Sequence, residues 1–518
     1  MADFSELFRT TEEQITAIDA VVTNGQIPAW LQGSFIRLGP GIFDFDDFVM
    51  NHWFDGYAVV YKFDISNGKV KFCKRFLQSD AYKKAMATGR PVFTEYGTKA
   101  YNDPEKNLFS RIVSTLIPDL TDNDAINLFT YEDALYAATE TYNIRRIDIN
   151  NLETCEKVDL NKLVGIHLSS PHSYQDKDGN CYTIGTSFTT GGKYHVVKLP
   201  PAGSGKAEDG IRKASILTDI PSSWSSGVSY YHSFGMSEKY IVFIEQPLIL
   251  NLVKLLSIQV KGRSLRECMD WHPEECNRFI VVDKKTGKIV PLKYRSKKPF
   301  FVFHHINTYE EDDQLVVDVI AMDSPDIVDQ LFLEKLRNSD YHPKDMAIGR
   351  RFILPLPSQN GNMVNNHNLV TLDSEVTAEK TGKIIHLTPR DLSSQPGYEL
   401  PVINKQYFGK KYRYYYSVGM YDPGEFRNSV LKVDAETGET KTWKENEYTY
   451  PGEPQFVSRP GAVDEDDGVL LTAVTDVRKE HPDFLLVLNA EDLTEIARAE
   501  VNVHIPNVLH GIFVSQHQ

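Results

Sequence analysis

The chain has 518 residues, 41% hydrophobic and 25% charged, proportions that fit a globular protein and exclude wholesale disorder. Its formal charge of −15 argues against nucleic-acid binding, which needs a basic excess to neutralise phosphates. No run of 18 or more apolar residues occurs, so no segment reads as a membrane-spanning helix.

Taken in chain order, the opening Met1-Ala2-Asp3-Phe4-Ser5-Glu6 lacks the basic and apolar regions of a secretory signal. Five scattered cysteines (Cys73, Cys155, Cys181, Cys268, Cys276) form neither a disulfide framework nor a zinc motif, and together these features predict a reduced, cytoplasmic setting. Thr10 to Ala20 carries helix-like periodicity. From there the dominant signal is short alternating runs rich in Val, Ile, Tyr, Phe and Thr, and one unit recurs: a strand ending in Asp or Asn, a polar turn, then a second strand. It appears at Val60-Tyr61-Lys62-Phe63-Asp64 before Ser66-Asn67-Gly68-Lys69, and at Ile147-Asp148 before Asn150-Asn151-Leu152-Glu153. Val282-Asp283-Lys284-Lys285-Thr286-Gly287 and Val433-Asp434-Ala435-Glu436-Thr437-Gly438 nearly duplicate each other, and Leu488-Asn489 opens a fifth copy. Asn-Gly and Thr-Gly supply the positive-φ residues of tight antiparallel connections.

The anchors at 64, 148, 283, 434 and 489 are spaced by 84, 135, 151 and 55 residues. If each of the two long gaps conceals one degenerate copy, the chain holds seven units of about 74 residues, each the size of a four-stranded sheet. Radial repetition of such sheets predicts an all-β, seven-bladed β-propeller, with a large β-sandwich as the alternative. Helices are few, and Val328 to Asn338 is the second helix-like stretch. No composition shift cuts the chain, so residues 1–518 are expected to form a single domain.

Gly191-Gly192-Lys193 and Gly203-Ser204-Gly205-Lys206 lack the spacing of a phosphate-binding loop, and no G-x-S-x-G supplies a serine nucleophile. Asp464-Glu465-Asp466-Asp467 is contiguous rather than alternating, and so reads as a solvated turn, not a calcium loop. Histidine is the informative residue: several of the 15 lie in aromatic, strand-like surroundings, as in Tyr231-His232-Ser233-Phe234, Phe303-His304-His305-Ile306 and Leu509-His510-Gly511-Ile512. A buried imidazole must find a partner, and a shared metal is one. The wide spacing excludes compact motifs and suits one inward residue from each of several blades. Four imidazoles admit either zinc or iron, and the ligand types alone do not choose.

Asn51-His52-Trp53-Phe54-Asp55-Gly56, Ala138-Thr139-Glu140-Thr141, Tyr231-His232-Ser233-Phe234-Gly235, Phe303-His304-His305-Ile306-Asn307, Gly452-Glu453-Pro454, Glu465-Asp466-Asp467-Gly468 and His510-Gly511-Ile512-Phe513 resemble the carotenoid cleavage oxygenases. The likeness runs from about residue 26 to 514 and is greatest to the animal branch of β-carotene oxygenases, isomerooxygenases and retinoid isomerases. The resemblance implies a propeller with rim helices and loops doming over an axial ferrous ion, Fe(2+), held by four histidines. Three fall on His232, His304 and His510. The fourth lies in Ser169-Ser170-Pro171-His172, where an ungapped count selects His172 and matching the family's proline selects Ser170, with His167 a distant reserve. Glu140, Glu399 and Glu453 match the glutamates that accept hydrogen bonds from iron-bound imidazoles, and Thr139 is expected to face the open coordination side.

The resemblance further implies dioxygen and a carotenoid as substrates, central 15,15′ cleavage to retinal-type aldehydes, and all-trans to 11-cis isomerisation of one half. Eccentric 9′,10′ cleavage and an O₂-independent retinyl ester isomerohydrolase are the alternatives. Leu108 to Leu120 and Leu248 to Val260, the second followed by Lys261, Arg263 and Arg266, are the expected contacts of a peripherally membrane-associated enzyme. Glu105 stands where relatives carry a cysteine after Asp103-Pro104, so a lipid anchor is not expected there.

Overall fold

The computed structural model describes residues 3–104, 120–188, 191–357, 365–419 and 425–516. Its strands form four-stranded units that repeat along the chain. The first unit joins both ends of the protein: the strand His510–Ser515 pairs with Gly33–Ile42, which continues through Tyr57–Ser66 to Lys69–Phe76. The second runs Asn127–Tyr131, Ala134–Ala138, Asn143–Ile147, Thr154–Asp159. In the third, Leu168–Ser169 and Tyr174–Gln175 share the inner edge of Cys181–Ser187, followed by Lys193–Leu199 and Ser215–Pro221. The fourth starts at Gly235–Met236, the fifth at Phe301–Glu311, the sixth at Tyr398–Val402 and the seventh at Gln455–Ser458.

The first strands of these units touch one another. Phe301–Glu311 contacts both Gly235–Met236 and Tyr398–Val402, while His510–Ser515 contacts both Gln455–Ser458 and Asn127–Tyr131. This is a propeller, with the innermost strands around an axis. Second strands are packed on both faces, which is why Gln314–Met322 and Gly468–Asp476 are buried at every residue and show no alternation. Their polar members must then be paired: Asp318 accepts two hydrogen bonds from Arg351, at 2.9 and 2.8 Å, and one from the Tyr412 hydroxyl at 2.7 Å.

The five sequence anchors all mark the connection between third and fourth strands of a unit. Asn67 and Gly68 adopt φ of 51° and 74°, the pair of positive values that a two-residue hairpin needs. The two long gaps each hold one degenerate copy. In the third unit the connection contains the helix Ala207–Ile211, and in the fifth it contains Thr377–Thr381 and Ile384–Thr388, which extend the fourth sheet instead.

Two local expectations are corrected. Thr10 to Ala20 is not helical: Gln14–Gly25 is a strand that pairs with Lys69–Phe76 and with Glu495–Val501, bridging the outer edges of the first and seventh units. Its Ile, Thr and Val residues favour extended backbone, and two open edges were waiting for it. Val328 to Asn338 is two short helices, Asp326–Gln330 and Leu333–Arg337. They part where Leu331 and Leu333 exchange backbone bonds with Trp53 and Asn51.

Candidate metal centre

Each of the seven units sends one side chain toward the axis. His172 follows Leu168–Ser169 of the third, His232 precedes Gly235–Met236 of the fourth, His304 lies in Phe301–Glu311 of the fifth, and His510 opens His510–Ser515 of the first. Their ligand nitrogens all lie within 4.8 Å of one another. Glu140 follows Ala134–Ala138 of the second unit, Glu399 lies in Tyr398–Val402 of the sixth, and Glu453 precedes Gln455–Ser458 of the seventh. His172 joins the cluster, whereas the Ser170 hydroxyl donates to the His232 carbonyl at 2.6 Å and ties the third unit to the fourth. Ser233 does the same one unit on, donating to the Phe303 carbonyl at 2.6 Å. His305 points the other way, its Nδ1 2.9 Å from the Ser233 hydroxyl.

The separations test what ion fits. At metal–nitrogen distances of about 2.1 Å, a tetrahedral set places every nitrogen pair roughly 3.4 Å apart, whereas octahedral neighbours lie roughly 3.0 Å apart and opposite ligands roughly 4.2 Å. His172 and His232 Nε2 are 3.0 Å apart, and His304 and His510 Nε2 are 3.2 Å apart. Five ring-centroid pairs fall between 4.7 and 5.2 Å, but His232–His510 stands at 6.0 Å. One far pair among five near ones matches four positions of an octahedron better than a closed tetrahedron, and so favours a six-coordinate ion over structural zinc.

Burial, and then the neighbouring His232, His510 and His304, hold His172 well below the usual imidazole range, and burial also lowers His232. Both rings are neutral at pH 7, with a lone pair free for a metal. Three rings turn their other nitrogen to a carboxylate: His232 Nδ1 to Glu140 at 2.7 Å, His304 Nδ1 to Glu399 at 2.6 Å, and His510 Nδ1 to Glu453 at 2.7 Å. Each contact fixes Nδ1 as the protonated nitrogen and aims Nε2 at the cluster. Burial would raise Glu399 and Glu453, but their partner histidines hold both below the ordinary carboxylate range. Among the described residues no carboxylate meets His172; its Nδ1 lies 3.2 Å from the Asn127 amide.

Around this core sit residues that the sequence left without roles. Arg37, fully buried, donates to the Glu453 carbonyl at 2.5 Å and its carboxylate at 3.3 Å, and to the Leu509 carbonyl at 3.2 Å. It explains the glycine after His510, because a Cβ on Gly511 would stand 2.4 Å from Arg37 Cδ. The Tyr230 hydroxyl donates to Glu140 at 2.6 Å. Only an arginine in a strand-like run, Phe35-Ile36-Arg37-Leu38, signalled such a partner.

Glu140, Glu399, His232, His304 and His510 face a cavity whose remaining wall is largely apolar, including Phe54, Phe303, Met322, Ile327 and Leu331. Thr139 lies in the wall of a smaller cavity that shares Phe54, Ile126 and Glu140 with the first. Of the two expected membrane segments, Leu108 to Leu120 falls outside the described residues except for Leu120. Leu248 to Val260 is not one amphipathic helix. Leu248–Asn251 is a buried strand, paired with Gly227–Ser229 and Met269–Trp271 because its apolar residues belong to the core. Two short helices follow, Leu252–Leu256 and Ile258–Lys261, the first capped by Asn251. They leave Val253, Leu256 and Val260 exposed at 68%, 55% and 70%. Among the described residues no helix is long and apolar enough to cross a membrane.

The family described as retinal pigment epithelial membrane protein matches residues 7–515. The β,β-carotene 15,15′-dioxygenase of Rattus norvegicus is 39% identical over 519 residues, covering 98% of this chain and 90% of that one. The mitochondrial carotenoid-cleaving dioxygenase of Mustela putorius furo is 38% identical over 526 residues, covering 98% and 95%. Among solved structures, a point variant of the Synechocystis apocarotenoid oxygenase superposes with a TM-score of 0.79 at 24% identity, covering 99% of this chain and 98% of that one. Its cobalt-substituted form gives 0.78 at the same identity and coverage.

Proposed function

This chain belongs to the retinal pigment epithelial membrane protein family, and from that premise we propose that it is an iron(II)-dependent dioxygenase cleaving the central 15,15′ double bond of carotenoids. The observation that carries the reading is the convergence of four imidazoles, three of them backed by carboxylates, beside a mostly apolar cavity that His232, His304, His510, Glu140 and Glu399 line. His172, His232, His304 and His510 would hold ferrous iron, which when bound would supply the activation of dioxygen that cleavage of a carbon–carbon double bond requires. The protein supplies the rest. Glu140, Glu399 and Glu453 hold protons on the Nδ1 atoms, so each ring keeps one tautomer and one orientation. Phe54, Phe303 and their neighbours receive the polyene by buried area, exclude water, and fix which carbons stand beside the cluster. Two oxygen atoms enter and one carbon–carbon double bond is lost, so one C40 carotene gives two C20 aldehydes.

A carotenoid must be drawn from a lipid phase. Val253, Leu256 and Val260 are exposed on the two short helices, which also carry Lys254 and Lys261, and are the residues we assign to shallow contact with a membrane surface. The test is aerobic incubation with β-carotene beside anaerobic incubation with a retinyl ester, products separated by chromatography. Retinal from the first supports the reading. A ten-carbon-shortened apocarotenal would make the enzyme an eccentric one, and retinol from the anaerobic ester would make it an isomerohydrolase. The same chromatogram resolves isomers, and equal 11-cis and all-trans retinal marks coupled isomerisation.

A further inference from the structure

Among the described residues the cavity wall carries one cation that the cleavage reaction does not use, along with the carboxylates of Glu140, Glu399 and Asp345. Arg427 lines it, with its guanidinium carbon 4.8 Å from the Phe426 ring centroid and 4.9 Å from that of Trp53. The two rings hold the cation by their faces and leave its N–H groups directed elsewhere. Arg427 makes no hydrogen bond or ion pair with any described residue. Its nitrogens are not sealed in protein either, unlike the buried Nε atoms of Arg37 and Arg145, so they open onto the cavity. The carboxylates whose charge it feels, Glu399 and Glu453, are already engaged by His304 and His510.

Beside it lies Tyr341, buried and edge-on to Phe426 at 5.3 Å, which lines the same cavity and whose hydroxyl likewise finds no partner among the described residues. Burial pushes this phenol up to about 12 despite the nearby guanidinium, so it remains a neutral O–H donor. One end of a largely apolar chamber therefore presents two donors without a partner among the described residues; of the carboxylates in its wall, Asp345 accepts from Ser324, while Glu140 and Glu399 face histidines. A hydrocarbon offers them nothing, and a desolvated cationic donor left unmatched is costly.

Resting on the carotenoid reading, we propose that Arg427 and Tyr341 form a subsite for the terminal carbonyl oxygen of an oxygen-bearing polyene, an apocarotenal-type aldehyde. Selectivity then comes from the mismatch: the subsite discriminates by how much it loses when the oxygen is absent. The probes are all-trans β-apo-8′-carotenal and β-carotene, bound to the full-length, iron-loaded chain and followed by tryptophan fluorescence quenching, with Trp53 directly under the guanidinium. Arg427→Leu should weaken the apocarotenal roughly ten- to hundredfold and, by removing the unmatched charge, leave β-carotene bound as tightly as before or more tightly. Arg427→Lys should recover part of the loss, and Tyr341→Phe should give a smaller loss with the same selectivity while leaving the fold intact. Equal weakening of both probes, or of neither, overturns the subsite. Because binding is read apart from turnover, wild-type protein that makes retinal but binds without this selectivity refutes the subsite alone. Selective binding without any cleavage refutes only the enzymatic reading.

Discussion

Replacing the two buried glutamates by glutamine separates roles that look identical in sequence. At Glu453 every neighbour is a donor: His510 Nδ1 at 2.7 Å meets one oxygen, and Gly511 N, Gln455 Nε2 and Arg37 Nη1 meet the other at 3.0, 3.1 and 3.3 Å. A glutamine amide has nowhere to put its NH₂ without facing a donor, and it strips Arg37 of its counter-charge. An unsatisfied buried donor costs about 1–3 kcal/mol, and an uncompensated buried charge about 3–5 kcal/mol, part of which relaxation recovers. At Glu399 one oxygen takes both His304 Nδ1 and Leu400 N at 2.6 Å, while Oε1 is buried without a partner. Glutamine can place its NH₂ there and keep the acceptor. Glu399→Gln should therefore lose roughly tenfold in iron affinity with little change in the metal-free melting temperature. Glu453→Gln should lose about a hundredfold and destabilise the metal-free chain by about 3 kcal/mol. Chelator competition against ferrous iron and calorimetry of both forms measure this. Equal effects, or a larger one at Glu399, would refute the donor accounting.

Three further outcomes follow from the geometry. His172→Ala should abolish iron binding, seen by elemental analysis, whereas His305→Ala should retain it, since His305 faces Ser233 and not the cluster. Glu95 is buried, and burial followed by the charge of Asp55 raises its carboxyl well above the usual range. The folded chain keeps a proton there that the unfolded chain gives up above about pH 4.5, so stability falls as pH rises. Glu95→Gln, which keeps the acceptor for Thr121, should therefore raise the melting temperature at pH 8 and not at pH 4; an equal change at both would contradict it. Val253→Ser, Leu256→Ser and Val260→Ser together should reduce sedimentation with phosphatidylcholine vesicles while leaving anaerobic binding of detergent-solubilised β-carotene unchanged; unaltered sedimentation would remove the assigned membrane contact.

What the sequence made legible was what repeats or what is chemically rare. Asn67-Gly68, Thr286-Gly287 and Thr437-Gly438 sit at the same connection in three units, so turn chemistry alone located blades, and the gap lengths located the two interrupted copies. Histidines in aromatic strands stood out because an imidazole is expensive to bury alone. The strand Gln14–Gly25 was not legible, because its partners come from opposite ends of the chain and its own pattern is mostly exposed. Leu248–Val260 was legible only as an apolar segment, because the division of its residues between a core strand and two short helices depends on strands that pair with it from elsewhere in the chain. Tyr230 and Arg427 gave no local signal, and Arg37 only its place in an apolar run, since Arg37 and Tyr230 act on residues 90 to 472 positions away that only closure of the propeller brings beside them.

The account turns on one ferrous ion per chain held by four histidines and used to cut one bond. Metal-free protein titrated anaerobically with ferrous iron, then given β-carotene and air, reads this directly as retinal formed per iron added. Cleavage should rise to a break at one equivalent of iron, release two retinal molecules for each β-carotene consumed, and be absent at every iron concentration in His172→Ala. Retinal formation without iron, a break at another stoichiometry, or an active His172→Ala protein would contradict it.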